Sequence, residues 1–322
     1  MNRLYRIILL ITGYHWNYSH NLIFMLISDE HCDKLFEIDE LKCQYSGNRT
    51  VLYVRDLIIE RGRITVILGL SGIGKSTILE TLGLMNKTLP RESKVNFYPY
   101  AGSKPIDYAW LWYEAHEKIR SGIRKEHFSF IFQESNLMYN FTALDNVCIT
   151  LLLQNQTKEN ARAIVKKYIH DMELDQKVSD STMIYNLSGG ERQRLSFIRA
   201  VAPDFTVLFG DEPTGNLDII NAGRVLKNLS NVLKSKGKSA IIVTHDINLA
   251  VESADDIILI EEKINDINGD SFSYGYIAGN NVYKSRLING RKMWKNHALT
   301  DWSDSEWMKA EILRVFSVNK GL

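Results

Sequence analysis

The chain has 322 residues, 45% of them apolar and 24% charged, which is length and apolar content enough for one large or two ordinary packed domains. The formal net charge of +1 gives no electrostatic footprint of the size that nucleic-acid binders carry. Cys32, Cys43 and Cys148 stand apart, so the spacing offers neither a disulfide framework nor a zinc site, and a reducing, cytoplasmic setting fits.

Residues 1–34 form an N-terminal segment distinct from the rest of the chain. Its longest apolar stretches, 7–11 and 22–27, are too short to span a bilayer; Arg3 and Arg6 before the first faintly resemble a secretory signal, and Met25 offers an alternative start. Residues 36–42 and 51–59 alternate apolar and polar, the period of half-buried strands. Residues 64–68 are continuously apolar, as in a parallel strand covered on both faces. They lead into G-L-S-G-I-G-K-S-T at 69–77 and an apolar helical start at 78–82. Residues 87–105 read as loop or short edge strands, 106–120 as helix, 128–132 as strand, and 142–178 as two or three helices. Buried strands at 206–209, 240–243 and 257–260 come next. Strands alternating with helices predict a parallel α/β sheet, with the candidate polar residues just past strand carboxyl ends, where such sheets bind ligands. After residue 262 glycines and tryptophans break the pattern, and 263–322 reads as a C-terminal extension. Within it Ser303-Asp-Ser-Glu306 fits a capping box, and Met308, Ile312, Val315 and Phe316 share one helical face.

Residues 69–77 fit the phosphate-binding P-loop. Gly69, Gly72 and Gly74, with Ser71 between them, let backbone N–H groups converge on an anion, and the next helix adds its positive end. Lys75 can reach terminal phosphates, and the Ser76 hydroxyl, with Thr77 beside it, can serve the phosphates and Mg²⁺. Asp211 and Glu212 end a buried strand: one carboxylate suits Mg²⁺, the other a general base, although an exposed acidic turn has the same sequence. Ser188, Gly189 and Gly190, in L-S-G-G-E at 187–191, open a second anion-compatible helix, unless they are an ordinary capped Gly-Gly turn.

These elements, with Gln133 between P-loop and L-S-G-G, Asn216-Leu-Asp218 after Glu212, and then His245, resemble an ATP-binding cassette (ABC) ATPase domain across residues 36–262. The D-E-P-T-G-N-L-D stretch at 211–218 is similar to the branch serving lipoprotein release, macrolide export and cell division. The resemblance implies an α/β P-loop NTPase, the ABC-type nucleotide-binding domain. It would span residues 35–262, with a RecA-like core, an antiparallel β subdomain and a helical signature subdomain at about 134–190. It implies ATP and Mg²⁺ as ligands. Gly69, Ser71, Gly72, Gly74, Lys75, Ser76 and Thr77 would hold the phosphates, Asp211, Gln133 and Ser76 the metal. Glu212 would be the general base and His245 the γ-phosphate switch. Tyr45 would stack on adenine, with Tyr53 the alternative aromatic. Ser188, Gly189 and Gly190 would act on ATP held by a second copy or a similar cassette, and Asp218 would lie at that contact. A separately encoded membrane permease would be the partner, placing the chain at the inner membrane face, with no nucleic acid expected. The other reading is a non-transport ABC ATPase acting on DNA or in defence. Glu191 stands where many members have Gln, and Tyr139 where relatives often have Pro.

Overall fold

The computed structural model describes residues 33–45, 49–215, 219–267 and 270–318; the expectations for residues 1–32 and for Asp218 lie outside them. The strands, in chain order, are β1 (Lys34–Gln44), β2 (Thr50–Glu60), β3 (Ile64–Leu68), β4 (Lys94–Phe97), β5 (Ile106–Asp107), β6 (Phe128–Ile131), β7 (Val207–Asp211), β8 (Ser239–Thr244), β9 (Asp256–Leu259), β10 (Glu261–Ile267), β11 (Asp270–Ile277), β12 (Val282–Ile288) and β13 (Arg291–Lys295). They form two sheets, ordered β10-β11-β2-β1-β4-β5 and β13-β12-β9-β3-β8-β7-β6.

The five strands from β9 to β6 in the second sheet are parallel. Their unbroken apolar runs follow from having a core on each face. Val66 and Leu68 of β3 face one core, together with Ala240 and Ile242 of β8. Ile67, Ile241 and Val243 face the other, which fills the space against β1 and β2. The helices are α1 (Lys75–Leu82), α2 (Tyr108–Tyr113), α3 (Glu117–His127), α4 (Ala143–Leu153), α5 (Lys158–Asp171), α6 (Gly189–Val201), α7 (Ile219–Lys236), α8 (Ile247–Ser253) and α9 (Ser305–Val318). The single helix expected at 106–120 is instead a short strand and two helices. Arg120 Nη1 donates to Leu111 O at 2.6 Å and Ala115 O at 2.8 Å, satisfying carbonyls that a continuous helix would have used.

The residues after 262 continue both sheets. The expected boundary at 262/263 falls within β10, whose partner β11 pairs in parallel with β2. β12 joins β9 and β13 joins β12. Two Asn-Gly dipeptides carry the hairpin signal: Asn268-Gly269 in sequence between paired Ile267 and Asp270, and Asn289-Gly290 between Ile288 and Arg291. Asn289 and Gly290 have φ of 51° and 75°, the double left-handed geometry of a type I′ turn. Gly290 is thus a turn residue that joins two strands rather than a break in the pattern. Helix α9 buries Met308, Ile312 and Val315 with Phe316 packed alongside, as its spacing predicts. Its cap corrects the expectation, however. Trp307 N donates to Asp304 Oδ1 at 2.8 Å, so Asp304 rather than Ser303 is the cap, because Ser303 exchanges backbone hydrogen bonds with Trp294.

Trp294 is fully buried among Tyr283, Met308 and Ile312. Trp294→Ala is expected to lower unfolding stability by about 3–5 kcal/mol, read from the midpoint of urea melts. A loss under about 1 kcal/mol would mean that α9 packs without the indole.

Candidate nucleotide site

The loop after β3 turns through two left-handed glycines, Gly72 at φ 78° and Gly74 at φ 100°, a conformation costly for a residue with a Cβ. A Cβ on Gly69 would come within 2.8 Å of Ile73 Cγ2. Gly74 is the N-cap of α1 and gives it no side-chain cap, so the first-turn N–H groups remain for an anion. Lys75 Nζ donates to Gly69 O at 2.9 Å and Leu70 O at 2.8 Å, folding the ammonium over its own loop. Burial pushes its pKa down, and the nearby carboxylates of Glu212 and Asp211 oppose that.

Ser76 is exposed, and its hydroxyl lies near the carboxylate of Asp211, the last residue of β7. Burial raises the Asp211 carboxyl pKa, and the nearby Ser76 hydroxyl works against that rise. A hydroxyl and a carboxylate oxygen facing each other beside a phosphate loop fit Mg²⁺, which takes one or two protein oxygens and completes its shell with phosphate and water. Thr77 Oγ1 lies 3.2 Å from the Tyr45 hydroxyl, while Tyr45 is 46% exposed, so the ring stands at the edge of the P-loop with a free surface. Tyr53, the alternative, instead hydrogen-bonds Glu40 and lies against Tyr276.

Glu212 has φ 44°, a left-handed backbone that glutamate rarely adopts. Two hydrogen bonds hold it: Glu212 N to Val243 O at 2.9 Å and Gly215 N to Glu212 O at 3.0 Å. The turn aims the carboxylate at His245, whose Nδ1 is 2.9 Å away, and buries it to 17% exposure while the imidazole stays 70% exposed. Gln133 completes the group. Its Nε2 and Glu212 Oε2 lie 3.8 Å and 3.7 Å from the point where a Cβ on Gly215 would sit. The structure thus gathers Lys75, Ser76, Asp211, Glu212, Gln133 and His245 at the carboxyl ends of β3, β6, β7 and β8.

Ser188, Gly189 and Gly190 stand elsewhere, at the start of α6. Ser188 Oγ accepts from Glu191 N at 3.3 Å, and Glu191 Oε2 accepts from Ser188 N at 2.7 Å, a complete capping box. Hydrogen bonding from the Ser188 backbone N–H holds the Glu191 carboxyl below its usual pKa, so the cap partner stays charged. Ser188 and Gly189 are exposed, and a Cβ on Gly189 would meet nothing within 4 Å. The link from this helix to the acidic turn comes from a residue that no motif marks: Gln193 Nε2 donates to Pro213 O at 2.6 Å. From Glu212 and His245 a cleft of about 890 Å³ runs between α7 and α8 to Arg286 and Lys292 on the last hairpin.

The profile of the family described as ABC transporter matches residues 54–215, half of the chain, from β2 through the acidic turn. The lipoprotein-releasing system ATP-binding protein LolD of Aquifex aeolicus is 37% identical over 194 residues, covering 60% of this chain and 80% of that one. The chain belongs to the ABC transporter family. It is an ATP-hydrolysing cassette, the ATP-binding subunit of an ABC transporter, with the ABC-type α/β P-loop fold. LolD of Bordetella pertussis is 32% identical over 224 residues, covering 70% of this chain and 88% of that one. Among solved structures, a dimeric ATP-binding cassette in a post-hydrolysis state bound to ADP and Pi aligns with a TM-score of 0.57 at 27% identity, covering 70% of this chain and 93% of that chain. The cbiO1 protein of Clostridium perfringens, part of the ABC transporter complex cbiONQ, aligns at 0.59 and 25% identity, covering 70% and 84%.

Proposed function

We propose that two cassettes close over Mg·ATP and that closure and hydrolysis drive a separate membrane permease, in a system of the lipoprotein-release or export kind. The observation that carries the catalytic half is the Glu212 carboxylate held 2.9 Å from His245 Nδ1 beside the P-loop. Lys75 and the α1 amides bind the β- and γ-phosphates, exchanging the Gly69 and Leu70 carbonyls for phosphate oxygens. Ser76 and Asp211 would hold Mg²⁺, which would neutralise charge on the phosphates, and Gln133 would orient a water beside them. Glu212 takes a proton from the attacking water, and His245 fixes that carboxylate and faces the γ-phosphate. Tyr45 offers its exposed ring to the adenine. Ser188, Gly189 and Gly190 face ATP on the second cassette, where Gly189 and Gly190 offer the N–H groups of the first helical turn, with Asp218 at the contact.

The permease half rests on two supports. The relatives named for lipoprotein release share the cassette. The segment after Gln133 also exposes Tyr139 (55%) and Phe141 (45%), apolar surface next to the residue that senses the nucleotide. Among the described residues no helix is long and apolar enough to cross a membrane. The cassette would then sit at the inner membrane face through its permease.

The test is purification of the tagged chain from native membranes with identification of the co-purifying integral protein, alongside Mg·ATP turnover. Lys75→Ala is expected to raise the ATP dissociation constant at least about tenfold and remove turnover, since it deletes the phosphate-facing ammonium. Recovery of the chain without any integral membrane protein, reproducibly and in mild detergent, would leave the permease reading without support.

A further inference from the structure

Gly275, in β11, lies far along the chain from the P-loop and outside residues 54–215 of the family match. A Cβ there would sit 2.2 Å from the backbone oxygen of Ile73, within the P-loop itself. It would also lie 2.8 Å from Leu52 Cδ1 and 2.9 Å from Ile260 Cγ2. Ordinary carbon contacts are about 3.5–4.0 Å, so even alanine demands a shift of about an ångström in backbone as well as side chains. Leu52, paired with Gly275 across the β11–β2 ladder, also sets the other side of the loop: a Cβ on Gly74 would lie 3.1 Å from Leu52 Cβ. Ile73 and Gly74 therefore rest on a floor made by Leu52 and by the bare backbone of β11. The same strand also meets the start of β2. Phe272 lies under the Arg49 guanidinium at 5.6 Å, and Arg49 stands four residues after Tyr45, whose hydroxyl meets Thr77.

We infer that β11 is a wall of the ATP site: Gly275 is a positioning residue that sets the height of the P-loop, and Phe272 steadies Arg49, four residues past Tyr45. The strand belongs to the hairpin that continues into the C-terminal elements, so ATP affinity depends on a segment beyond the matched cassette. The inference rests on the assignment of residues 69–77 to the triphosphate.

The test titrates the full-length protein with Mg·ATP and with Mg·tripolyphosphate, which has phosphates but no base. Gly275→Ala should weaken both ligands by the same factor, about tenfold or more, as expected for an ångström-scale displacement of the phosphate loop. Phe272→Ala, which introduces no clash, should weaken ATP by about threefold or more and leave tripolyphosphate unchanged. A lowered melting temperature for Gly275→Ala with unchanged affinity for both ligands would reduce Gly275 to a packing role and overturn the inference. If Gly275→Ala does not fold, unchanged ATP affinity in Phe272→Ala overturns it. Lys75→Ala separates the underlying assignment: if it still binds tripolyphosphate normally, residues 69–77 are not the triphosphate site, whatever Gly275 does.

Discussion

Glu212→Gln is expected to bind Mg·ATP with wild-type affinity and to hydrolyse it about 10²–10³-fold more slowly, the usual worth of a positioned general base. The substitution is nearly isosteric. An amide can still hydrogen-bond His245 Nδ1, and the backbone bonds to Val243 and Gly215 that hold the left-handed φ of 44° are untouched. What disappears is the capacity to accept a proton from water. Lys75, Ser76 and Asp211 remain, so the ground state survives while the transition state loses its base. Single-turnover hydrolysis and equilibrium binding of a fluorescent ATP analogue separate the two. Turnover within about threefold of wild type would remove Glu212 from the role of base. With hydrolysis blocked, ATP should also hold two cassettes together, visible as a shift to dimer in size-exclusion chromatography.

The part of this site legible in the sequence is the part built from consecutive residues. β3, the glycine loop and α1 are one local unit, and strand, positive-φ glycines and lysine are specified by neighbours in sequence. The acidic turn is legible as Asp211-Glu212, but its geometry is not. Nothing in the sequence announces a left-handed glutamate, which exists because the Val243 carbonyl of β8 captures its N–H. The Tyr45–Thr77 and Gln193–Pro213 contacts join residues 32 and 20 positions apart, and only the packed sheets bring them together. The largest difference lies after residue 262, where Asn-Gly dipeptides that read as interruptions stand between paired strands. Ser303 differs from its expected role for a related reason. Its competition between capping α9 and bridging Trp294 is decided by tertiary structure, and the adjacent Asp304 takes the cap.

Ser188→Arg is the sharper test of a shared site, because α6 presents its first turn outward. Ser188 and Gly189 are exposed, and the Ser188 hydroxyl is committed to its own helix through Glu191 N. If this turn served the P-loop of its own chain, replacing Ser188 would weaken ATP binding by that chain. If it serves a second cassette, the chain carrying Ser188→Arg should bind Mg·ATP normally as a monomer, yet lose turnover by about 10²-fold or more, the scale on which loss of a transition-state donor is felt. Loss of the cap costs α6 about 1 kcal/mol, small against a domain this size, so folding and catalysis are separable by a thermal melt. The decisive measurement combines both lesions. Glu212→Gln alone should be dimeric in Mg·ATP; Glu212→Gln with Ser188→Arg should be monomeric with ATP still bound. A double variant that remains dimeric would place the contact away from α6. A double variant that has lost ATP would place Ser188 in its own chain's site, and the P-loop of each cassette would then be completed from within rather than by its partner.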